Sequence, residues 1–376
     1  MGTRVLLVIS CVFITMLAVN LEVPLYQTYA RTSGYGTGST SFVFAAYVLG
    51  LLPTIVLFGG VSDRIGRKRT LIVALLCALA ATLVMMISPT MPALFLARVL
   101  QGIGVGLSLG TGTAYLMELT DKTHRVPVYT GFATTLGIGG GALITSISLF
   151  YKHTRIPLSY WATIIATMLC MLFIAFLPES KRFSSGKMAR LPHFPSGTIV
   201  FGLTIIIAWS VTGVIIALLP FALEDRHLGD WVGIMVFLSI STGVLVQPLA
   251  RRLSPFHAIK IGMVLISLSC LFLFAGAWHG AISLVLLGAM LGGVSSFGFS
   301  YIGGLSAVVH ASQNETARAV SGYFLMAYLG LGLPAILVGS LGKIFGLFSA
   351  LSVFGVFIVL MNSVLWIRLN SVSNCP

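Results

Sequence analysis

The chain has 376 residues, of which 57% are hydrophobic and 8% are charged. Soluble domains carry about 25% charged residues, so this composition excludes an ordinary soluble domain and indicates a protein of the lipid bilayer. Lys and Arg outnumber Asp and Glu by 22 to 9, an excess that in a soluble protein would suggest nucleic acid as a partner.

Apolar runs along the chain predict twelve transmembrane helices. A bilayer core about 30 Å thick requires about 20 apolar residues per helix, and only helices or closed barrels satisfy their backbone hydrogen bonds in lipid. The runs have helix length and lack the alternating pattern of barrel strands. They lie at approximately 4–25, 41–61, 70–88, 93–116, 127–150, 158–177, 197–219, 231–250, 258–276, 281–308, 319–340 and 345–367. The predicted fold class is an all-α integral membrane protein.

The distribution of basic residues over the loops accounts for the positive net charge. With a cytoplasmic N-terminus, sixteen of the 22 Lys and Arg residues fall in cytoplasmic loops or ends, and Arg98 falls inside a span. The five on the other side are Arg31, Lys152, Arg155, Arg226 and Lys343. This positive-inside bias predicts an inner or plasma membrane protein with both termini in the cytoplasm. The basic residues are thus explained by membrane topology, and the predicted partner is the lipid bilayer and not nucleic acid.

The longest break between predicted spans divides the chain into two halves of six helices. Residues 178–196, PESKRFSSGKMARLPHFPS, are basic and rich in Ser and Pro and predict a cytoplasmic linker between residues 1–177 and 197–376. One pattern at the end of span two, Gly59, Asp63, Arg67 and Lys68, recurs as Gly243, Gln247, Arg251 and Arg252. A second in span five, Gly131, Gly139 and Gly141, recurs as Gly322, Gly330 and Gly332. These two repeated patterns favour a duplication of the six-helix half, and chance matching among 41 glycines is the alternative.

The stretch GGVSDRIGRKRT, residues 59–70, concentrates charge between spans two and three. Its pattern consists of Gly59, Asp63, Arg64, Gly66, Arg67 and Lys68. This pattern resembles the signature loop of the major facilitator superfamily. A loop that only sets topology explains the arginines but not Asp63 or the two glycines. The resemblance implies two parallel six-helix repeats, secondary active transport by alternating access, and a role for these six residues as a conformational latch in which Asp63 faces the start of span eleven, near Thr316 to Val320.

Two ionisable residues are predicted inside spans, which makes them functional candidates. Glu22 lies near the outer end of span one, and Arg98 lies in span four in RVLQG, which resembles a second motif of the superfamily that includes Gln101. Both lie in the outer part of their spans, so they can meet, and a carboxylate that takes up a proton offers a route for coupling. In the superfamily the arginine is associated with proton coupling. The alternatives are a purely structural ion pair and an interfacial Glu22.

Polar and aromatic residues in the spans are candidates for substrate binding. They are Asn20, Tyr26, Tyr47, Trp209, Thr212, Phe297, Tyr301, Tyr323 and Tyr328. Aromatic side chains in spans also serve packing, and this mixture suits amphiphilic small molecules without naming one. The glycine-rich stretch at residues 131–144 resembles a motif of exporters in the superfamily, but it lacks the Gly-Pro step, and glycines in spans also serve helix packing.

These features predict a transporter, not an enzyme. The prediction is a proton-coupled exporter of amphiphilic drugs or metabolites that acts as a monomer, with no metal site and no cofactor. Glycines in residues 100–110 lie mid-helix without the Lys-Ser/Thr of a nucleotide-binding loop. The alternatives are a proton-coupled importer or exporter of a defined metabolite, such as a sugar, organic acid or siderophore, and a transporter-like receptor.

Overall fold

The computed structural model describes residues 2–151, 154, 156–179, 189, 191–312 and 315–373. Each regular element within these ranges is a helix. The α-helices of the first part of the chain are α1 (Thr3–Leu17), α2 (Tyr26–Thr32), α3 (Thr37–Phe58), α4 (Val61–Ile65), α5 (Arg67–Ile87), α6 (Met91–Leu119), α7 (Val126–Tyr151) and α8 (Leu158–Ile174). Those of the second part are α9 (Ile199–Ala217), α10 (Leu219–Glu224), α11 (Val232–Ala250), α12 (Pro255–His279), α13 (Ile282–Gly293), α14 (Ser300–Ala311), α15 (Thr316–Phe345) and α16 (Leu347–Ser373).

Short segments of other helix types interrupt or precede the long helices. Segments of 3₁₀-helix occupy Ala18–Asn20, Val23–Leu25, Thr123–Arg125 and Gly229–Trp231. A π-helix at Val294–Phe299 joins α13 to α14. Two of these irregular places, in the first and tenth predicted spans, carry the polar chemistry described below.

The prediction of an all-α membrane protein with twelve spans is confirmed. Eleven helical segments of the described chain are long and apolar enough to cross a membrane, and the shorter apolar helix α8 coincides with the sixth predicted span. The first span is longer than predicted, since its helical path runs from Thr3 to Thr32. It continues past the predicted end because the irregular segment after α1 leads directly into α2.

The chain forms two compact units. Unit 1 comprises Met1–Ser33 and Ala46–Leu191, and unit 2 comprises Gly34–Ala45 and Pro192–Pro376. The start of α3 thus belongs to unit 2, where Thr37 Oγ1 donates to Gly339 O over 3.4 Å. The boundaries predicted for the two halves stay a prediction.

Part of the topology prediction falls on residues that the structure does not describe. Most of the linker at residues 178–196 lies outside the described residues. The same holds for six of the basic residues counted in the loops, namely Lys152, Arg155, Lys181, Arg182, Lys187 and Arg190.

Candidate functional site

The first span is irregular where Glu22 is located. The α-helix ends at Leu17, and two segments of 3₁₀-helix follow before α2 begins. Pro24 lies in the second segment and has no backbone N–H with which to continue an α-helical ladder. In this region the backbone carbonyls of Ala18 and Val19 accept hydrogen bonds from side chains of α6.

Close approach of α3 and α6 holds the side chains of α6 in place. A Cβ added at Gly102 would lie 2.8 Å from Leu51 N, a distance that real Cβ atoms essentially never show. Arg98 and Gln101 precede this contact and are three residues apart, so they lie on the same face of α6. Gly102 therefore lets α6 pack closely on α3 one residue after Gln101.

Glu22, Gln101 and Arg98 form a buried chain of polar contacts, which we call the carboxylate cluster. Their side chains are 0%, 2% and 0% exposed. Gln101 Nε2 donates to Glu22 Oε1 and to Ala18 O, both over 2.9 Å. Arg98 Nη1 donates to Gln101 Oε1 over 3.2 Å and to Val19 O over 2.6 Å. Gln101 thus links the carboxylate to the guanidinium.

One carboxylate oxygen of the cluster accepts no hydrogen bond from the described residues. Glu22 Oε2 is buried and has no hydrogen-bond partner among the described residues, and the same is true of the Tyr26 hydroxyl. The Tyr26 ring lies under Arg98, with Cζ 5.2 Å from the ring centroid. Glu22 Oε2 can therefore take up a proton, or accept a hydrogen bond from a water molecule or a ligand group, in the same cluster as the Arg98 guanidinium.

Further polar contacts tie the surroundings of the cluster to α7 and α8. Asn20 Nδ2 donates to Ile138 O over 3.1 Å, and the hydroxyls of Tyr29 and Tyr160 are 3.0 Å apart. The glycine-rich face of α7 packs against the first span, since a Cβ at Gly137 would lie 2.7 Å from Phe13 O. The packing role considered for these glycines is therefore present in the structure.

The structure brings together three residues that the sequence singled out for proton coupling. Glu22 and Arg98 meet through Gln101, as parts of one buried cluster in unit 1. Glu22 is fully buried within the protein, and its depth in the membrane stays a prediction. The predicted part of these residues in proton coupling stays a prediction.

The signature loop is bound to the ends of two other spans. Gly66, at φ 104°, adopts a backbone conformation that favours glycine and turns the chain from α4 into α5. Arg67 pairs with Asp63 over 2.5 Å and with Glu118, at the end of α6, over 3.1 Å. Lys68 N donates to Glu179 Oε1 over 3.1 Å.

The two acidic partners of the loop, Glu118 and Glu179, were not among the predicted site residues. An acidic residue at the end of a span beside a basic loop is the sequence signal that could have identified them. The contact predicted for Asp63 with the start of span eleven, and the latch as a whole, stay predictions.

In unit 2, Trp209 on α9 belongs to a group of packed aromatic side chains. We define the aromatic cluster as Trp209, Phe297, Tyr301, Tyr323, Phe324 and Tyr328. The ring centroids of Phe297 and Tyr328 lie 5.2 and 5.1 Å from that of Trp209. One turn away on α9, the buried Thr212 hydroxyl has no hydrogen-bond partner among the described residues. The cluster contains five of the predicted substrate-binding residues, and Phe324 is the member that sequence analysis missed.

The π-helix forms one wall of the aromatic cluster. Trp209 Nε1 donates to Ser296 O over 3.2 Å, and Gln247 Nε2 donates to Phe297 O over 3.0 Å. Gln247, which sequence analysis treated as the second-half copy of Asp63, is thus a buried partner of this irregular backbone. Tyr47, also predicted to bind substrate, is 4% exposed on α3 in unit 1.

Comparisons with known proteins agree with this architecture. The family model of the Major Facilitator Superfamily matches residues 8–255. The 3-(3-hydroxy-phenyl)propionate transporter of Escherichia coli is 25% identical over 81% of this chain and 75% of its own length. Multidrug resistance protein 2 of Bacillus subtilis is 23% identical over 47% of this chain and 44% of its own length.

A solved structure shows the same fold. The crystal structure of a D-xylose–proton symporter superposes with a TM-score of 0.74 at 17% identity, covering 96% of this chain and 97% of the symporter. Together with the family match over residues 8–255, this shows that the chain is a multi-pass membrane transporter that belongs to the Major Facilitator Superfamily.

Proposed function

We propose that this secondary transporter is a proton-coupled exporter of amphiphilic small molecules that works by alternating access. The observation that carries the proposal is the carboxylate cluster, in which Glu22 is fully buried and linked to Arg98 through Gln101. An ionisable side chain inside a span costs free energy, so its presence favours a functional role. The transporter acts as a monomer without a cofactor, in an inner or plasma membrane with both termini in the cytoplasm, and its signature loop serves as the conformational latch.

Protonation of Glu22 would change the contacts that the cluster makes. The ionised carboxylate is attracted to Arg98 and accepts a hydrogen bond from Gln101. The protonated group loses that attraction and carries an O–H that needs an acceptor. Each protonation state of Glu22 therefore favours a different arrangement of the irregular part of the first span. Binding of a proton can then shift the equilibrium between two conformations of the transporter, by the difference in proton affinity between them.

The aromatic cluster supports an amphiphilic substrate with an aromatic or other flat apolar part. Six aromatic rings offer apolar contact and stacking, and the Thr212 hydroxyl offers a hydrogen bond. The multidrug resistance relative and the glycine-rich α7 support export.

A second candidate is the proton-coupled transport of an aromatic acid. The relative that matches 81% of this chain is a transporter of 3-(3-hydroxy-phenyl)propionate, which joins an aromatic ring to a carboxylate. Both candidates use the same proton site and aromatic cluster, and they differ in the substrate.

A substrate panel in proteoliposomes separates the candidates. Internal pH is followed under an imposed proton gradient while amphiphilic drugs, aromatic acids, sugars and siderophores are added in turn. Proton movement evoked by drugs supports the exporter, and movement evoked by aromatic acids alone supports the second candidate. A response to sugars or siderophores alone contradicts both.

Two matched variants test the aromatic cluster in the same assay. Trp209→Leu should raise the substrate concentration needed for half-maximal response, because it removes the ring that contacts both Phe297 and Tyr328. Trp278→Leu is the control, since Trp278 is 50% exposed on α12 and outside the cluster. Equal responses from the two variants would exclude the cluster from substrate binding.

A further inference from the structure

A groove lies on the surface of unit 2 where α12 and α16 pack together. Its volume is about 420 Å³, within the range of about 300 to 1,000 Å³ that small-molecule sites occupy. The residues that line it are Met263, Val264, Ser267, Leu268, Leu271, Val359, Asn362, Ser363 and Trp366. Both helices are membrane spans, and Val264, Leu271 and Val359 on the rim are 49%, 63% and 44% exposed. The groove therefore opens toward lipid.

Most of the groove is lined by apolar side chains, but Ser267, Asn362 and Ser363 place polar atoms within it. Asn362 is 5% exposed, and its Nδ2 donates to Met263 O over 3.2 Å and to Ser267 Oγ over 3.0 Å. Asn362 Oδ1 is buried and has no partner among the described residues. The hydroxyl protons of Ser267 and Ser363 are donated to Met263 O and Val359 O over 3.0 and 2.9 Å. Since these protons are already used, a ligand must bring its own donor.

One end of the groove carries a positive charge. Lys260 Nζ lies 5.6 Å from the centroid of the Trp366 ring, which forms that end. Lys260 precedes Met263 on α12 by about one helical turn, roughly 5 Å along the axis. The opposite end, at Leu271 and Val359, is apolar. The groove thus presents a cation, then acceptors, then apolar surface.

We propose that this groove binds a single-chain anionic phospholipid with a free glycerol hydroxyl. In such a lysophospholipid the phosphate, the hydroxyl and the acyl chain follow one another in the order of Lys260, Asn362 and the apolar end. Phosphatidic acid, the diacyl counterpart of lysophosphatidic acid, has an ester in place of that hydroxyl, so this position of its glycerol cannot donate to Asn362 Oδ1. A water molecule on Asn362 Oδ1 is the competing occupant, and it would not distinguish among these lipids.

Lipid analogues that differ by one group test the proposal. The full chain is placed in phosphatidylcholine nanodiscs, and binding of labelled lysophosphatidic acid is compared with an otherwise identical analogue without the glycerol hydroxyl and with phosphatidic acid. Lysophosphatidic acid should bind about two- to tenfold more tightly than either, the range that one ordinary hydrogen bond contributes. Equal affinity for lysophosphatidic acid and the analogue without the hydroxyl would overturn the proposal.

Two serines of α16 supply a matched pair of variants. Ser363 and Ser352 are both exposed, and each donates to the carbonyl four residues earlier over 2.9 Å. Ser363 lines the groove, so Ser363→Phe should fill it and weaken binding of lysophosphatidic acid by about tenfold or more. Ser352→Phe adds the same ring outside the groove and should bind like wild type. Wild-type binding by both variants would place the lipid elsewhere and overturn the proposal.

Discussion

At the scale of single residues, Gln101 links the two charged groups of the carboxylate cluster. Its amide donates to Glu22 Oε1 and accepts from Arg98 Nη1, over 2.9 and 3.2 Å. Only a side chain with both a donor and an acceptor can make both contacts. A buried donor or acceptor left without a partner costs about 1–3 kcal/mol.

We expect Gln101→Leu to lower the free energy of unfolding by about 1–3 kcal/mol, because the contacts to Glu22 and Arg98 are lost at nearly constant volume. It should also weaken proton-driven transport more than it weakens exchange. Thermal unfolding in detergent and transport in proteoliposomes measure the two effects. Gln27→Leu on α2, where the side chain is half-buried, is the control, and it should change stability less than Gln101→Leu does. Equal behaviour of the two variants would contradict the linking role of Gln101.

The ion pairs of Arg67 in the signature loop can also be tested by a single substitution. Its side chain is 14% exposed and pairs with Asp63 and Glu118, whereas Arg69 is 71% exposed and lies 3.8 Å from Glu179. We expect Arg67→Gln to reduce stability by about 1.5–3 kcal/mol, the range for hydrogen bonds to charged groups. Arg69→Gln removes the same charge from the same loop and should be nearly neutral. Thermal unfolding of both variants measures the difference, and a larger loss for Arg69→Gln would disprove this account of the loop.

At the scale of elements, irregular helix geometry creates both candidate sites. The 3₁₀ segments after α1 present the carbonyls of Ala18 and Val19 to α6. The π-helix at Val294–Phe299 presents Ser296 O to Trp209 and Phe297 O to Gln247. Departures of this kind inside helices are frequent at functional sites because they free backbone groups for other contacts.

Helix spacing at Gly102 is tested by a pair of glycine variants on α6. A Cβ at Gly102 would meet Leu51 N at 2.8 Å, whereas one at Gly110 meets nothing within 4 Å. We expect Gly102→Ala to cost about 1–3 kcal/mol of stability through overpacking and to reduce coupled transport as α6 moves. Gly110→Ala should be neutral or stabilising, since alanine favours helix by about 1 kcal/mol. If Gly102→Ala matched Gly110→Ala in thermal unfolding and transport, the close approach would not position the cluster.

At the scale of the whole molecule, the bilayer made most of the fold predictable. Twelve apolar runs predicted the spans because lipid requires continuous helices of about 20 apolar residues. Glu22 and Arg98 stood out because charges are rare inside spans. The π-helix was not predictable, since the run GGVSSFGFS has the small and apolar residues of a regular span. Phe324 was missed because one phenylalanine among 24 carries no signal without its neighbours in space.

The central claim, that Glu22 couples transport to protons, is tested by comparing exchange with uphill transport in proteoliposomes. Exchange of labelled for unlabelled substrate needs no net proton movement, whereas accumulation driven by a pH gradient does. We expect Glu22→Gln to keep exchange within about twofold of wild type while losing accumulation, which is the pattern for removal of coupling alone. Glu224→Gln makes the same change at an exposed residue and should retain both activities. Accumulation at the wild-type level by Glu22→Gln would contradict the claim, and loss of both activities in a folded protein would make Glu22 a structural partner of Arg98.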